Sequence, residues 1–270
     1  MPPLVSEALS VELDEGHRPL RDGEVDVWQA ALAQPAEKVA RLAQILSEDE
    51  LERAQRFYFE KDRTHFMVAR GFLRCTLAAY LGVRPERLCF KYNAFGKPSL
   101  ALPRISWLRF NLSHAGEIAL LAVTAGREIG IDVELIRPGM AEESIPERLF
   151  SQSEVDLLRS LPQEHQDNGF FDCWTRKEAF VKAKGQGLSI PLDEFDVSFA
   201  PGLPAALLQV RADPGEVARW SMHALRMRAG YAGALVVEGD GVRIRRLTFD
   251  PDAALAAGQA DKIRARGGES

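Results

Sequence analysis

In the stretch Phe170-Phe-Asp-Cys-Trp-Thr-Arg-Lys-Glu-Ala-Phe-Val-Lys-Ala-Lys-Gly-Gln-Gly-Leu188, Trp174, Glu178 and Lys182 recur at every fourth position. On a helix that spacing stacks them along one stripe. A stripe facing an ordinary core is aliphatic. This one aims a carboxylate and an amine at a shared point, while Phe171, Trp174 and Val181 do the anchoring. Gly185 and Gly187 then stop the helix in the usual C-terminal manner. Taken alone, Glu178 and Lys182 would be a surface pair worth only about 0.3–0.5 kcal/mol. A second motif upstream changes that reading.

The second motif is Glu128-Ile-Gly-Ile-Asp-Val-Glu-Leu-Ile136. Ile131, Val133 and Leu135 alternate with Asp132 and Glu134, as in a half-buried strand. Two carboxylates on one strand face raise each other's pKa unless a cation intervenes. With Glu178 brought in from the helix, the oxygen donors suit Mg²⁺, which completes its shell with water and substrate phosphates. Lys182, one turn beyond Glu178, would face those phosphates. An isolated Asp-x-Glu is as readily a solvated strand face. Together the two motifs point to metal-assisted chemistry on a phosphate ester or anhydride.

A net charge of −5 with no basic block argues against a nucleic-acid binder. No apolar run approaches the ~20 residues of a membrane span. Met1-Pro-Pro-Leu-Val-Ser-Glu-Ala lacks the basic start and apolar core of a secretion signal, so a cytoplasmic protein is expected. Cys75, Cys89 and Cys173 show no paired spacing, which indicates neither a disulfide framework nor a zinc site; all three are expected as small buried hydrophobes.

The chain's 270 residues hold one large domain or two small ones. Residues 1–22 read as an extended lead-in. Residues 23–125 begin with a strand at Glu24-Val-Asp-Val-Trp-Gln. A helix follows, opened by the capping box Ser47-Glu-Asp-Glu50, then a longer one from about Asp62 to Gly82. Leu88-Cys-Phe-Lys-Tyr, Trp107–Leu112 and Ile118–Thr124 read as strands. Residues 126–240 repeat that order: a strand at 129–135, a helix from the capping box Ser151-Gln-Ser-Glu154, and the long helix through Trp174 and Glu178. The strand Phe195–Phe199 and a strand pair around Gly230 complete it. The fold class is therefore α+β: two similar halves related by a pseudo-twofold, with a ligand site at their seam. Residues 241–270 read as a C-terminal extension, a loosely held helix or disorder beyond Asp250.

Other polar residues gather around these motifs. Asn111-Leu-Ser-His114 ends a strand before a glycine turn, where imidazolium, hydroxyl and turn amides can meet an anion. A lone histidine there would be structural. Gly96-Lys97-Pro98 offers a cation on a tight turn, and by itself it is a surface turn. Arg53, Lys61, Arg63, Arg70 and Arg74 lie along the first two helices, either as a solvated basic face or as a second anion site across the seam.

The pairing of Gly130-Ile-Asp-Val-Glu134 with Trp174-Thr-Arg-Lys-Glu-Ala-Phe-Val-Lys182 resembles the signature of the 4′-phosphopantetheinyl transferases, most closely the Sfp-type group of two-half monomers. Asn111-Leu-Ser-His114, Gly96-Lys-Pro98 and Pro191-Leu-Asp-Glu-Phe195 fit the same group, over about residues 24 to 240. The resemblance implies Mg²⁺-dependent transfer of the phosphopantetheine arm of coenzyme A to a serine of an apo acyl or peptidyl carrier protein, releasing 3′,5′-ADP. It implies Asp132, Glu134 and Glu178 as metal ligands, with Glu178 also as base toward the carrier serine and Lys182 neutralising phosphate charge. His114 and Arg53 would bind the 3′-phosphate, with Gly96, Lys97, Asn111 and Ser113 lining the nucleotide site. The carrier would dock near the seam, on apolar side chains of the second half. Two departures stand out. Glu50 occupies a place where some relatives are basic, and His65 a place often held by Arg.

Two other readings use the same residues. A Mg²⁺-dependent phosphodiesterase or pyrophosphatase would need the denser Asp/His clusters of two-metal hydrolases, which this sequence lacks. A non-catalytic carrier-binding module would have no use for Asp132, Glu134, Glu178 and Lys182 as a set.

Overall fold

The computed structural model describes residues 20–101 and 107–256. Strand β1 (Glu24–Ala31) leads into helices α1 (Ala36–Ala43), α2 (Glu48–Gln55) and α3 (Glu60–Leu81). A short hairpin, β2 (Phe90–Tyr92) with β3 (Pro98–Leu100), precedes a longer one, β4 (Leu108–Ala115) with β5 (Ile118–Ala125). The order then restarts with β6 (Ile129–Leu135), α4 (Pro146–Leu149), α5 (Gln152–Ser160) and α6 (Gln163–Lys184). The short hairpin β7 (Phe195–Val197) and β8 (Leu207–Val210) follows, then α7 (Glu216–Arg219) and the pair β9 (Trp220–Ala224) and β10 (Tyr231–Glu238). Both long helices, α3 and α6, have 22 residues. The sheets repeat too, as β1-β5-β4 in one half and β6-β10-β9 in the other. The two like-ordered α+β halves expected from the sequence are therefore the architecture.

Burial explains the strand compositions. β5 is apolar from Ile118 to Val123 because both of its faces are covered, and its one polar side chain, Thr124, donates its hydroxyl to the Glu24 carbonyl at 3.0 Å. Ala119, Leu121 and Val123 pack with the first half's helices, while Ile118, Leu120 and Ala122 meet Ile129, Ile131 and Val133 of β6. Leu235 and Val237 of β10 join that shared core. Each half thus has its own helix-on-sheet core, and a third core lies between the sheets. Each aliphatic buried in that third core contributes roughly 1.5–3 kcal/mol, which ties the halves into one body. Both expected capping boxes are present. Ser47 N donates to Glu50 Oε2 at 3.1 Å and Ser151 N to Glu154 Oε2 at 3.0 Å.

The chain departs from expectation at its C-terminal end. A further strand, β11 (Arg243–Thr248), returns to the first half and pairs parallel with β1, from Glu24↔Arg243 to Gln29↔Thr248. Its Arg245 clamps Asp26, with Nε–Oδ1 at 2.6 Å and NH2–Oδ2 at 2.9 Å. Residues 251–256 are helical, and Phe249 and Leu255 enter the first half's core. Asp252 pairs with Lys38 at 2.7 Å and Arg41 at 3.0 Å. Residues 243–256 are therefore part of the first half: the extension expected over 241–270 adds a strand, and the stretch after Asp250, expected as a loosely held helix or disorder, is a docked helix as far as residue 256. Residues 1–19 of the lead-in and 257–270 of the extension lie outside the described residues. Helix α1 and strand β8 were not anticipated: α1 buries only Val39 and Leu42, and β8 exposes Leu208 and Gln209. Cys89, expected buried, is exposed, whereas Cys75 and Cys173 are buried. No described helix is long and apolar enough to cross a membrane.

Candidate active site

The site is built where α6 crosses β6. A Cβ on Gly130 would fall 2.1 Å from the Ala179 carbonyl oxygen and 2.3 Å from the Ala183 nitrogen. With glycine there, the helix backbone lies directly on the strand, and the Glu178–Lys182 stripe meets Asp132 and Glu134. Lys182 Nζ reaches Asp132 Oδ1 at 2.6 Å. Trp174, stacked on Phe170, donates Nε1–H to Glu134 Oε1 at 3.3 Å.

Asp132 is only 2% exposed. Its Oδ1 accepts from Lys182 and from Ser113 Oγ at 2.9 Å, whereas its Oδ2 is buried without a hydrogen-bond partner. An orphaned buried acceptor costs about 1–3 kcal/mol, and more when charged. Burial raises the pKa of Glu178, and the charge of Asp132, then that of Glu134, adds to the rise against the pull of Lys182. Glu134 is raised by burial and by Asp132, against Trp174, Lys182 and Arg137. These carboxylates are hard oxygen donors short of positive charge, and a divalent cation fits them chemically.

They are not, however, preassembled. Among the described residues no group of three or more His, Cys, Asp or Glu side chains stands ready to hold an ion. The expected ligand set Asp132, Glu134 and Glu178 is thus adjacent but not closed. Lys182, expected to be left facing phosphate, instead donates to Asp132 and to Ser113 Oγ at 3.1 Å. The physical reason is mutual repulsion of the carboxylates, which the nearby ammonium relieves at its nearest point.

Across the seam β4 lies beside β6, and side chains do the stitching. Asn111 Oδ1 accepts from Ile131 N at 2.8 Å, and Ser113 Oγ accepts from Val133 N at 3.3 Å. Both residues, expected to line a nucleotide site, are buried in this seam. His114, next along β4, is exposed. Although the side chain reaches solvent, desolvation on its protein-facing side is the main reason its imidazole sits below the usual pKa, and the charges of Lys182, His65 and Arg53 lower it further. Four basic side chains from α2, α3, β4 and α6 thus face one region, as an anion site requires. Arg53 is steadied there over the Phe66 ring, 5.4 Å from its centroid. Lys61, Arg63 and His65 continue the basic surface as one wall of an open groove of about 860 Å³, opposite Ala36, Val39 and Ala40 of α1.

Arg70 and Arg74 do not join this surface. Glu50, buried beneath α3, accepts from Arg70 Nε at 2.7 Å and Arg74 Nε at 2.6 Å. Burial would raise the Glu50 pKa, but the two guanidinium groups outweigh it and hold it below the carboxylate range. The acidic departure at position 50 is thereby explained: it is the counter-charge of two interior arginines.

Lys97 also differs from expectation. Its Nζ donates to the Ile129 and Ala183 carbonyls, each at 3.1 Å, and to Glu128 Oε2 at 3.3 Å. Asn93 Nδ2 donates to the Gly185 carbonyl at 2.6 Å. The turn is therefore a clasp on the C-terminus of α6, and the Lys97 ammonium is spent inward. Gly96, at φ 83° on the exposed tip, leaves the turn backbone open to solvent.

Sequence reasoning missed Lys177. It is fully buried and donates to the Leu192 carbonyl at 2.7 Å, the Phe195 carbonyl at 2.5 Å and Glu154 Oε2 at 2.6 Å. Glu154 Oε1 in turn accepts from Val197 N at 2.9 Å. One carboxylate thus caps α5, holds β7 and fixes α6 in place. The readable signal was a lysine on the helix face otherwise made by Cys173, Phe180 and Val181.

Residues 128–236 match the 4′-phosphopantetheinyl transferase superfamily, and residues 28–126 match the family described as 4′-phosphopantetheinyl transferase, N-terminal. The 4′-phosphopantetheinyl transferase HetI of Nostoc sp. is 42% identical over 224 residues, 82% of this chain and 91% of the relative. A 4′-phosphopantetheinyl transferase of Bacillus subtilis is 33% identical over 180 residues, 67% of this chain and 72% of the relative.

Proposed function

Because the chain belongs to the 4′-phosphopantetheinyl transferases, we propose that Asp132, Glu134, Glu178 and Lys182 are the machinery of its reaction. The enzyme transfers the 4′-phosphopantetheine group of coenzyme A to a serine hydroxyl of an acyl or peptidyl carrier protein. The serine oxygen attacks the phosphorus that carries the pantetheine arm. The bond from that phosphorus to the bridging oxygen breaks, and 3′,5′-ADP leaves.

Glu178 takes the serine proton, directly or through one water. Burial and the neighbouring carboxylates raise its pKa, a bound cation would draw it back down, and its position beside Asp132 is what qualifies it. Lys182 meets the charge that builds on the departing phosphate. His114 and Arg53, with His65 beside them, hold the 3′-phosphate, and the backbone of the Gly96–Lys97 turn borders the nucleotide. Asn111 and Ser113 act behind these groups by fixing β4 against β6, which sets the spacing between His114 and Asp132. Asp132, Glu134 and Glu178 would hold Mg²⁺, which when bound supplies Lewis-acid charge to the pyrophosphate. In keeping with the family likeness, the enzyme works as a monomer in the cytoplasm.

The observation that carries this reading is the meeting of the β6 carboxylates with the α6 stripe across Gly130, around a buried and unpartnered Asp132 oxygen. Intact-mass measurement of an apo carrier protein incubated with enzyme, coenzyme A and Mg²⁺ tests it. One phosphopantetheine group per carrier is expected, lost on chelation of the metal. Hydrolysis of coenzyme A with an unmodified carrier would refute it.

A further inference from the structure

We propose that Lys182 is the resident cation of the carboxylate site before metal arrives, and that metal and coenzyme A bind cooperatively because the ion displaces this ammonium from Asp132 onto phosphate. The inference rests on the metal-binding reading above and specifies how that site fills.

The two partners of the ion pair are unequal. Asp132 is held at 2% exposure by β6 and by the Ser113 hydroxyl, so it has no route into water. Lys182 has a long, flexible stem near the end of α6, and its side chain is 29% exposed. If a stronger cation competes for Asp132, the lysine is the group able to leave. The present arrangement also under-serves the carboxylates. Lys182 covers Asp132 Oδ1 and leaves Oδ2 without a partner, while Glu178 and Glu134 receive no direct bond from it. Three carboxylates against one ammonium leave the site with negative charge in excess, which favours a cation of higher charge than the ammonium.

Once such an ion sits among the carboxylates, an ammonium 2.6 Å from Asp132 Oδ1 would be pressed against it. Like charges at that range repel strongly in a partly desolvated site. The ammonium then moves to the nearest new anion, and bound coenzyme A supplies one in its pyrophosphate. Each ligand removes a cost the other would otherwise meet, which is positive linkage and is necessarily reciprocal. Ser113 Oγ, donating to Asp132 Oδ1 at 2.9 Å, keeps the carboxylate oriented after the lysine departs.

Two measurements on the full chain test this exchange. The first is Mn²⁺ affinity by electron paramagnetic resonance, with and without coenzyme A, for wild type, Lys182→Met and Asp132→Asn. Lys182→Met should tighten Mn²⁺ binding without coenzyme A by about 5- to 150-fold, and shrink the further gain that coenzyme A brings. The second is acetylation of lysine amines, read by peptide mass spectrometry, because loss of a charge alone would also favour metal. Mn²⁺ alone should raise Lys182 acetylation several-fold, and adding coenzyme A should suppress it. Lys184, paired with Glu216 at 2.6 Å, should stay constant and serves as the internal standard. Lys182 reactivity indifferent to Mn²⁺, or a Lys182→Met variant no tighter than wild type, overturns the exchange while leaving metal binding intact. If neither wild type nor Lys182→Met binds Mn²⁺ with or without coenzyme A, the metal reading itself falls. Retained affinity in Asp132→Asn would move the ion away from β6 and overturn both.

Discussion

At the scale of single residues, the contrast between Glu178 and Lys177 shows what position on one helix decides. Glu178 faces the seam, half-buried among like charges, and is left reactive. Lys177, one residue earlier, faces the core and is saturated by two carbonyls and Glu154. Glu178→Gln should therefore lower kcat by about 10²- to 10⁴-fold, the usual contribution of a general base, with circular dichroism unchanged. A rate near wild type would remove Glu178 from the chemistry. A second residue-level expectation concerns His223, whose Nε2 is buried without a hydrogen-bond partner and whose pKa is lowered by burial. Its unfolded form protonates near pH 6.5 while the folded form still resists. The unfolded state then binds more protons, so stability falls as pH drops below about 6.5 and levels off once the folded pKa is passed. Chemical denaturation across that window should show the slope, and His223→Leu should flatten it by one proton's share. The reactive group was legible in the sequence because alternation in the strand and i,i+4 spacing in the helix both point outward from backbone geometry. The buried ammoniums of Lys97 and Lys177 were not, since their partners include main-chain carbonyls, which carry no side-chain signature.

At the scale of elements, the contact between α6 and β6 is set by Gly130 and kept by the turn over Asn93–Lys97. Gly130→Ala would drive a methyl into the backbone at Ala179 and Ala183, so the helix must lift off the strand. Overpacking of this kind costs about 1–3 kcal/mol and occasionally more. Turnover should fall further than stability does, because lifting the helix widens the gap between Glu178 and Asp132. Thermal unfolding together with kcat checks this; a variant that loses stability but keeps its rate would show that the helix adjusts without moving the site. The halves and most of their helices were readable from periodicity and capping boxes. β11 was not, because Arg243-Ile-Arg-Arg-Leu-Thr248 is an edge strand whose outward side chains are charged and whose partner lies at the far end of the chain.

At the scale of the whole molecule, the shared core between sheets and the return of β11 make the halves interdependent. Arg245→Met withdraws a guanidinium from the fully buried Asp26, which keeps the Tyr80 hydroxyl as a donor, so the cost falls at or below about 3 kcal/mol, the low end for breaking a buried pair. That loss should be felt in both halves at once. Variants keeping only Trp28, in the first half, or only Trp220, in the second, should report the same denaturation midpoint, and Arg245→Met should shift both together. Separate midpoints would mean that the halves unfold as independent units.

The parallel pairing of β11 with β1 also bears on how the chain is made. Synthesis runs from the N-terminus, so β1 leaves the ribosome long before residues 243–248 exist to cover its edge. Until then the first half carries an open strand edge and an unclamped Asp26, the condition that invites wrong pairing with other chains. Translation of residues 243–248 is therefore also the step that closes the first half, and production of the protein is most exposed to aggregation when elongation pauses just short of it.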